Sequence, residues 1–200
     1  MITATVPEQL KQQKAKPIID IICDIDGCLV DTSWIWKLIE PMDMTEDQKF
    51  NYFNLNANSN YSGIDRTLLT ILNYCRQIEI AHRIIFLTAR SEIIAAPTIN
   101  FLQVKTGLVA GRDFLISFRP PQDKSSPVES KRVRLLDMLQ KGHCILFAID
   151  DVPAICRMYC EHKINGFLWQ IGMIPVELLM MLGGDLGKIM RGGRDLICMN

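Results

Sequence analysis

The chain has 200 residues, of which 48% are hydrophobic, enough to fill the core of one domain of ordinary size. Its 22 basic and 22 acidic side chains cancel, which excludes a protein coated in basic charge for scanning nucleic acid but leaves room for a local phosphate-binding groove. The sequence contains no apolar run long enough to span a bilayer, and the N-terminal stretch MITATVPEQLKQQKAK lacks the apolar core of a signal peptide. Because there are seven cysteines and no CxxC pair, we expect reduced thiols and a cytoplasmic protein.

The first apolar run, IIDIICDIDGCLV, predicts a buried central strand over Ile18–Asp24 that stops at an Asp-Ile-Asp-Gly sequence. Asp24 and Asp26 then lie at the carboxyl end of a strand, where open parallel sheets bind their ligands. Two anions this close cost energy unless a cation lies between them, and Mg²⁺ prefers carboxylate oxygens beside substrate phosphates. The alternative is a strand followed by a plain Asp-Gly turn.

The segment 31–60 interrupts the pattern with several aromatic residues and an Asn-rich stretch, NLNANSNYSG, which cannot be a core strand. We interpret it as a small insertion, or cap, over the strand ends, helical first and looping afterwards. A long surface connection whose aromatic side chains simply pack down is the alternative.

Beyond the insertion, strand patterns alternate with helical patterns. This alternation predicts an α/β fold in which a parallel sheet is covered by helices on both faces. We expect one domain, 1–200, with 183–200 as a peripheral Gly-rich tail whose GDLGKI sequence is not a P-loop, because its glycine spacing is one residue short. The later predicted strands are Ile84–Thr88, Phe114–Phe118, Ile145–Asp150 and Phe167–Ile171, and the predicted helices are Arg66–Ile80, Ala96–Thr106, Ser130–Lys141 and Pro153–His162.

Polar residues close two of these strands. Thr88 ends one, with Arg90 just beyond, and a hydroxyl and a guanidinium suit a phosphate oxygen; the alternative is a helix cap and a surface residue. Asp150 and Asp151 end another, and capping of the next helix explains one of them but leaves the other unexplained. Lys131, in SKRVRLLDMLQKG, is weak evidence by itself because basic runs are usually solvated faces.

Taken in order, DxDG after an apolar strand, a Thr closing the second strand, a helical Lys and paired Asp after a later strand resemble the haloacid dehalogenase superfamily of phosphotransferases, over roughly residues 18–171. The sequences LTAR, FRPPQDK, AIDDVP and NGFLWQ are similar, more closely, to the 3′-phosphatase domain of polynucleotide kinase-phosphatases. No Walker A sequence occurs, so the resemblance is to the phosphatase module alone. Cys28 and Val152 depart from the pattern, which more often has Thr or Val at the first position and Arg at the second.

The resemblance implies a Rossmann-like fold with the first and fourth strands adjacent and a phosphomonoester hydrolase that works through an aspartyl-phosphate. In that case Asp24 is the nucleophile. Asp26 protonates the leaving oxygen and later deprotonates the attacking water. Thr88 and Lys131 hold non-bridging phosphate oxygens.

The resemblance also implies Mg²⁺ as cofactor, held by the Asp24 carboxylate, the Asp26 backbone carbonyl and Asp150, with Asp151 orienting bound water. The substrate implied by the resemblance is a DNA or RNA 3′ end, whose phosphates would be contacted by further basic residues. A small-molecule or nucleotide phosphatase is the alternative, and a non-catalytic binding module is a weaker one because it has no use for Asp26. The sequence does not determine the oligomeric state, and a homodimer is one of the possibilities that it leaves open. The residues predicted to bind substrate are Arg90 and Arg119.

Overall fold

The computed structural model describes residues 18–78 and 80–183. Within them, five parallel strands form one sheet in the order β5-β4-β1-β6-β7, and two short strands, β2 and β3, form an antiparallel pair. Most of the predicted tail, 184–200, lies outside the described residues. The strands are β1 Ile19–Cys23, β2 Val30–Asp31, β3 Gly63–Ile64, β4 Arg83–Ser91, β5 Phe114–Arg119, β6 Cys144–Asp150 and β7 Asn165–Leu168.

Strand β1 lies at the centre of the sheet, as predicted. At its end Cys23 is in register with Phe86 of β4 on one side and Ile149 of β6 on the other. The apolar sequence of β1 follows from this position, because a central parallel strand is covered on both faces. The adjacency of β1 and β6, the first and fourth of the predicted strands, is also confirmed.

Helices cover both faces of the sheet and complete the predicted α/β fold. Side chains of β1 alternate between the two faces, so that Ile21 packs in the larger apolar cluster and Ile22 in the other. The larger cluster takes in α3 and α4, and the second takes in α5 and α6. The helices are α1 Ser33–Ile39, α2 Glu46–Asn56, α3 Arg66–Gln77, α4 Ala95–Thr106, α5 Pro127–Gln140, α6 Pro153–Glu161 and α7 Val176–Met181.

The buried carboxylate of Asp65 joins distant parts of the chain. Its Oδ1 accepts hydrogen bonds from the backbone N–H groups of Thr67 and Leu68, which caps the start of α3. Its Oδ2 accepts from the Trp169 indole at 3.1 Å and from the Gly172 backbone N–H at 2.9 Å. The start of α3 is thereby fixed to the loop that follows β7.

The insertion contains two helices, α1 and α2. A capping box starts α2, because Thr45 and Gln48 satisfy each other's backbone N–H groups. Helix α2 runs to Asn56 and so includes the first three residues of the Asn-rich stretch that was expected to loop. The two helices share a small apolar cluster separate from the main core, built on Ile35, Ile39, Phe53 and Ala57.

None of the helices among the described residues has the length and apolarity needed to cross a membrane. The cysteines of the described residues are all free, and four of the six are buried.

Candidate active site

The DxDG sequence forms a tight turn directly after β1. Asp24 continues the strand pairing, since its backbone N–H donates to the Ile149 carbonyl at 2.9 Å. Gly27 has a φ of 77°, in the left-handed region that favours glycine. A Cβ atom at Gly27 would lie 2.0 Å from Oδ2 of Asp151, so the missing side chain is what lets the Asp151 carboxylate approach the turn.

Three predicted carboxylates meet at this end of the sheet. Asp24, Asp150 and Asp151 each place an oxygen so that all three lie within 4.8 Å of one another. Lys131, in the second turn of α5, lies between two of them, with its Nζ 3.0 Å from Asp24 Oδ1 and 2.7 Å from Asp150 Oδ2. Helix α6 begins after Val152 without a side-chain cap, which excludes capping as the reason for the paired aspartates.

Burial and mutual repulsion shift the titration of this cluster. Burial, helped by the charges of Asp150 and Asp26, raises the pKa of Asp24 to about 7 although Lys131 opposes it. Burial, with the charge of Asp24, raises the pKa of Asp151 to about 6. Burial acts to lower the pKa of Lys131. The negative charges of Asp24 and Asp150 outweigh this effect, so the pKa of Lys131 lies above its ordinary value. One lysine therefore does not fully compensate the charges of two buried acids and a half-buried one.

The donor set fits a hard divalent cation such as Mg²⁺. All three groups are carboxylates, the ligands that Mg²⁺ prefers. Asp24 Oδ1 is buried, and apart from its ion pair with Lys131 at 3.0 Å it has no polar partner among the described residues. A cation in this position would satisfy that oxygen and stabilise the ionised form of each acid. The part expected of the Asp26 backbone carbonyl stays a prediction.

The Asp26 side chain is held apart from the cluster by Arg90. The guanidinium donates from Nε to Asp26 Oδ2 and from Nη2 to Asp26 Oδ1, each at 2.8 Å. This is the two-bond geometry in which arginine binds carboxylates best. Arg90 is fully buried, so the alternative of a surface residue is wrong. That Arg90 binds substrate phosphate stays a prediction. The observed geometry counts against it, because the guanidinium already donates two hydrogen bonds to Asp26.

Sequence reasoning missed a residue of the insertion that completes this network. Asn58, in the turn after α2, accepts a hydrogen bond from Arg90 Nη1 at 2.6 Å and donates to Thr98 Oγ1 at 3.1 Å. The Asn-rich composition of the stretch indicated only a turn. Nothing in the sequence spacing pointed to one particular asparagine as a partner of Arg90.

Thr88 lies inside β4, which continues to Ser91 with a break in its pairing to β5. The Thr88 hydroxyl accepts a hydrogen bond from the Arg90 backbone N–H at 3.1 Å, so a short polar turn is built into the strand. The same hydroxyl keeps its own hydrogen for donation to an oxyanion. Thr88 caps no helix, because Ser91 caps the short 3₁₀ turn that follows.

Arg119, the second residue predicted to bind substrate, ends β5 beside β4, as expected from the strand order. Its Nε lies 3.7 Å from Asp123 Oδ2, its Nη2 donates to the Ser125 carbonyl, and its guanidinium lies 5.7 Å from the centre of the Phe50 ring. Arg119 therefore connects the core to α2. Its role in binding substrate stays a prediction.

A half-open cleft of about 390 Å³ adjoins the carboxylates. It lies between the DxDG turn, the start of α1 and the loop after β7. Its lining residues are Asp26, Gly27, Asp31, Thr32, Ser33, Trp36, Asp151 and Ile171.

The fold is similar to that of several solved structures. No protein-family model matches the sequence, and no curated protein matches it. A chain of the Pnkp1/Rnl/Hen1 RNA repair complex is similar over 84% of this chain, with a TM-score of 0.57 and 19% identity. A haloacid dehalogenase-like hydrolase from Streptococcus pneumoniae matches over 84% of this chain and 92% of its own length, with a TM-score of 0.50 and 13% identity. This chain has the haloacid dehalogenase fold.

A third similar structure is the class C acid phosphatase from Bacillus anthracis, solved with tungstate bound. It matches over 80% of this chain and 70% of its own length, with a TM-score of 0.52 and 13% identity. The chain spans only about half the length of the matched chain in the Pnkp1/Rnl/Hen1 complex, 50%. The predicted resemblance is thus confirmed for the fold.

Proposed function

We propose that this chain is a divalent-metal-dependent phosphoric monoester hydrolase that works through an aspartyl-phosphate on Asp24. The observation that carries the proposal is the cluster of Asp24, Asp150 and Asp151, in which Lys131 pairs with the two buried members, Asp24 and Asp150. Such a cluster raises acid pKa values at a cost in stability, and perturbed groups of this kind are concentrated at functional sites. It lies at the carboxyl ends of β1 and β6, where sheets of this class bind ligands.

In the first chemical step an Asp24 oxygen attacks phosphorus, the bond from phosphorus to the leaving oxygen breaks, and Asp26 gives that oxygen a proton. In the second step Asp26 takes a proton from water. The hydroxide so formed attacks the aspartyl-phosphate, which releases inorganic phosphate and restores the Asp24 carboxylate. Lys131, and the Thr88 hydroxyl, hold the non-bridging oxygens of the phosphoryl group.

Asp24, Asp150 and the Asp26 backbone carbonyl would hold the magnesium ion, and Asp151 would orient its water. When bound, the ion supplies positive charge that lets an anionic nucleophile approach an anionic phosphate. Arg90 sets the orientation of Asp26. Because both Asp26 oxygens accept from Arg90, this contact should weaken when Asp26 carries the proton.

For the substrate we propose a polynucleotide 3′ end. The support is the LTAR and FRPPQDK sequences, together with a fold similar to a chain of an RNA repair complex. A small phosphoester is the second candidate, and one observation favours it. Three of the basic residues available for a phosphate track already pair with carboxylates: Arg119 with Asp123, Lys124 with Asp47, and Arg132 with Glu129 and Glu161.

A substrate panel tests both levels of the proposal. Release of inorganic phosphate is measured with Mg²⁺ or with EDTA from an oligonucleotide 3′-phosphate, the matching 5′-phosphate, a nucleoside 3′-phosphate and a sugar phosphate. Asp24→Asn is the inactive control, and Lys141→Ala, which removes an exposed ion pair with Asp137, is the matched active control. A preference for the sugar phosphate overturns the polynucleotide assignment. Turnover that survives in Asp24→Asn overturns the mechanism.

Salt dependence tests the polynucleotide assignment separately. Contacts with phosphates release counterions, so the apparent affinity for an oligonucleotide should fall with salt, and fall less steeply in Arg119→Ala. A mononucleotide has no upstream phosphate and should show little change in that variant. An equal loss on both substrates contradicts a polynucleotide track at Arg119.

A further inference from the structure

The cleft beside the catalytic carboxylates is acidic and partly apolar. Asp26, Asp31 and Asp151 are three of its lining residues, and no lysine or arginine is among them. In the proposed mechanism the phosphate is bound next to Asp24. The adjoining cleft is then available for the leaving group, the part of the substrate from which phosphate is removed. A second anion in the cleft would be repelled by these carboxylates and would meet no lysine or arginine among the lining residues. The cleft therefore suits a neutral leaving group.

Trp36 is the large aromatic side chain of this cleft. It is 48% exposed. Its ring stacks on Phe53 of α2, with ring centres 5.2 Å apart and planes inclined by 23°. Phe53 is only 6% exposed and belongs to the apolar cluster of the insertion, so it fixes the indole in place.

A fixed aromatic ring binds a planar partner at low cost. Because Trp36 is already packed on one face, little side-chain freedom is lost when a ligand ring meets its exposed surface. Ile171 adds apolar surface to the same cleft and is 41% exposed. Apolar surface with a rigid aromatic ring favours flat, uncharged groups over flexible polyols.

We infer that Trp36 is a stacking surface for a neutral planar part of the leaving group, the base of the terminal nucleoside when the substrate is a 3′ end. The inference rests on the proposed function and adds a residue that selects the substrate. It also places the upstream phosphates of a polynucleotide outside the acidic cleft.

Kinetics with two substrates test the inference. Thymidine 3′-phosphate carries a base, and glycerol 2-phosphate is a secondary phosphoester without a ring. In Trp36→Ala the KM for thymidine 3′-phosphate should rise about 10-fold, because the stacking contact with the base is lost. The kcat and the constants for glycerol 2-phosphate should not change, and Trp36→Phe should restore most of the KM. Leu55→Ala, at an exposed position of α2, is the matched control. Equal changes on both substrates, or no change on either, overturn the inference.

A binding measurement separates this inference from the phosphatase proposal. Calorimetry with thymidine 3′-phosphate is done on Asp24→Asn with and without the added Trp36→Ala or Trp36→Phe change. Weaker binding in the alanine protein, restored by phenylalanine, supports the stacking role even if no substrate is hydrolysed. Equal binding in all three proteins overturns it. Thermal unfolding followed by circular dichroism checks each variant, and the phenylalanine variant keeps an aromatic ring against Phe53.

Discussion

Without a divalent cation, the stability of the fold should fall as pH rises from about 5 to about 8. The cause is Asp24, whose pKa burial raises from 3.8 to about 7 in the folded protein. Because the folded pKa lies above the unfolded one, the contribution of Asp24 to stability is fully present below the unfolded pKa. It is lost as pH rises through the folded pKa, since ionisation then costs more in the folded state than in the unfolded chain.

The size of the effect follows from the two pKa values. At about 1.4 kcal/mol per pKa unit, the free energy of unfolding should fall by about 2–3 kcal/mol over this range. For a domain of this size that corresponds to a decrease in Tm of about 5–10 °C. Asp151 acts in the same direction, because burial raises its pKa to about 6.

Thermal unfolding in EDTA at several pH values measures the effect, and Asp24→Asn is its control. The variant keeps the shape of the side chain but has no charge to lose, so its Tm should fall less over the same range. Adding Mg²⁺ to the wild type should raise the Tm most at the alkaline end, where the carboxylates are ionised. A wild-type Tm that is constant or rises with pH in EDTA, or an equal fall in Asp24→Asn, refutes the reasoning.

Four substitutions give further predictions. Asp26→Asn should lower kcat by about 10²–10⁴-fold, the usual contribution of a general acid and base, whereas Asp24→Asn should abolish phosphate release. Gly27→Ala should cost about 1–2 kcal/mol in denaturant unfolding and weaken Mg²⁺ binding in calorimetry, because the new Cβ meets Asp151 at a φ of 77°; wild-type values in both assays would contradict this. Arg90→Lys keeps the charge but not the two-bond contact with Asp26, so kcat should fall and the pH–rate profile should shift. An unchanged profile would show that Arg90 does not position Asp26.

The order of the strands and helices could be predicted from the sequence because the apolar runs that mark the strands are pronounced and each lies within a short stretch of the chain. The apolar run before Asp24 and the strand patterns that end near Thr88 and Asp150 each gave a strand within a few residues of the observed one. Parallel sheets bring the carboxyl ends of their strands to one edge, so the meeting of Asp24 with Asp150 followed from the predicted fold. The placement of Lys131 needed the family resemblance, since one lysine in a basic helix carries little information by itself.

The partners of the arginines could not be predicted in this way. Arg90 and Arg119 were expected to face substrate because they follow strands that end at the site. In the structure Arg90 contacts Asn58 and Asp26, both from distant segments. Arg119 contacts Asp123, four residues further along the chain, and the Phe50 ring of α2. A long arginine side chain can reach several hydrogen-bond acceptors. Which of them it contacts depends on distances in the folded structure, and these cannot be read from the spacing of residues along the chain.

The four hydrogen bonds of Asp65 have a consequence for how the domain folds. Its two distant donors, Trp169 and Gly172, lie 104 and 107 residues further along the chain. Until Trp169 and Gly172 are in place, the Asp65 carboxylate lacks two of its four hydrogen-bond donors. Burying a carboxylate with unsatisfied hydrogen bonds costs several kcal/mol. Contacts between residues so far apart form slowly, because a long loop must close first. The loop that carries Ile171, and with it one wall of the cleft, is therefore expected to be among the last parts of the domain to assemble.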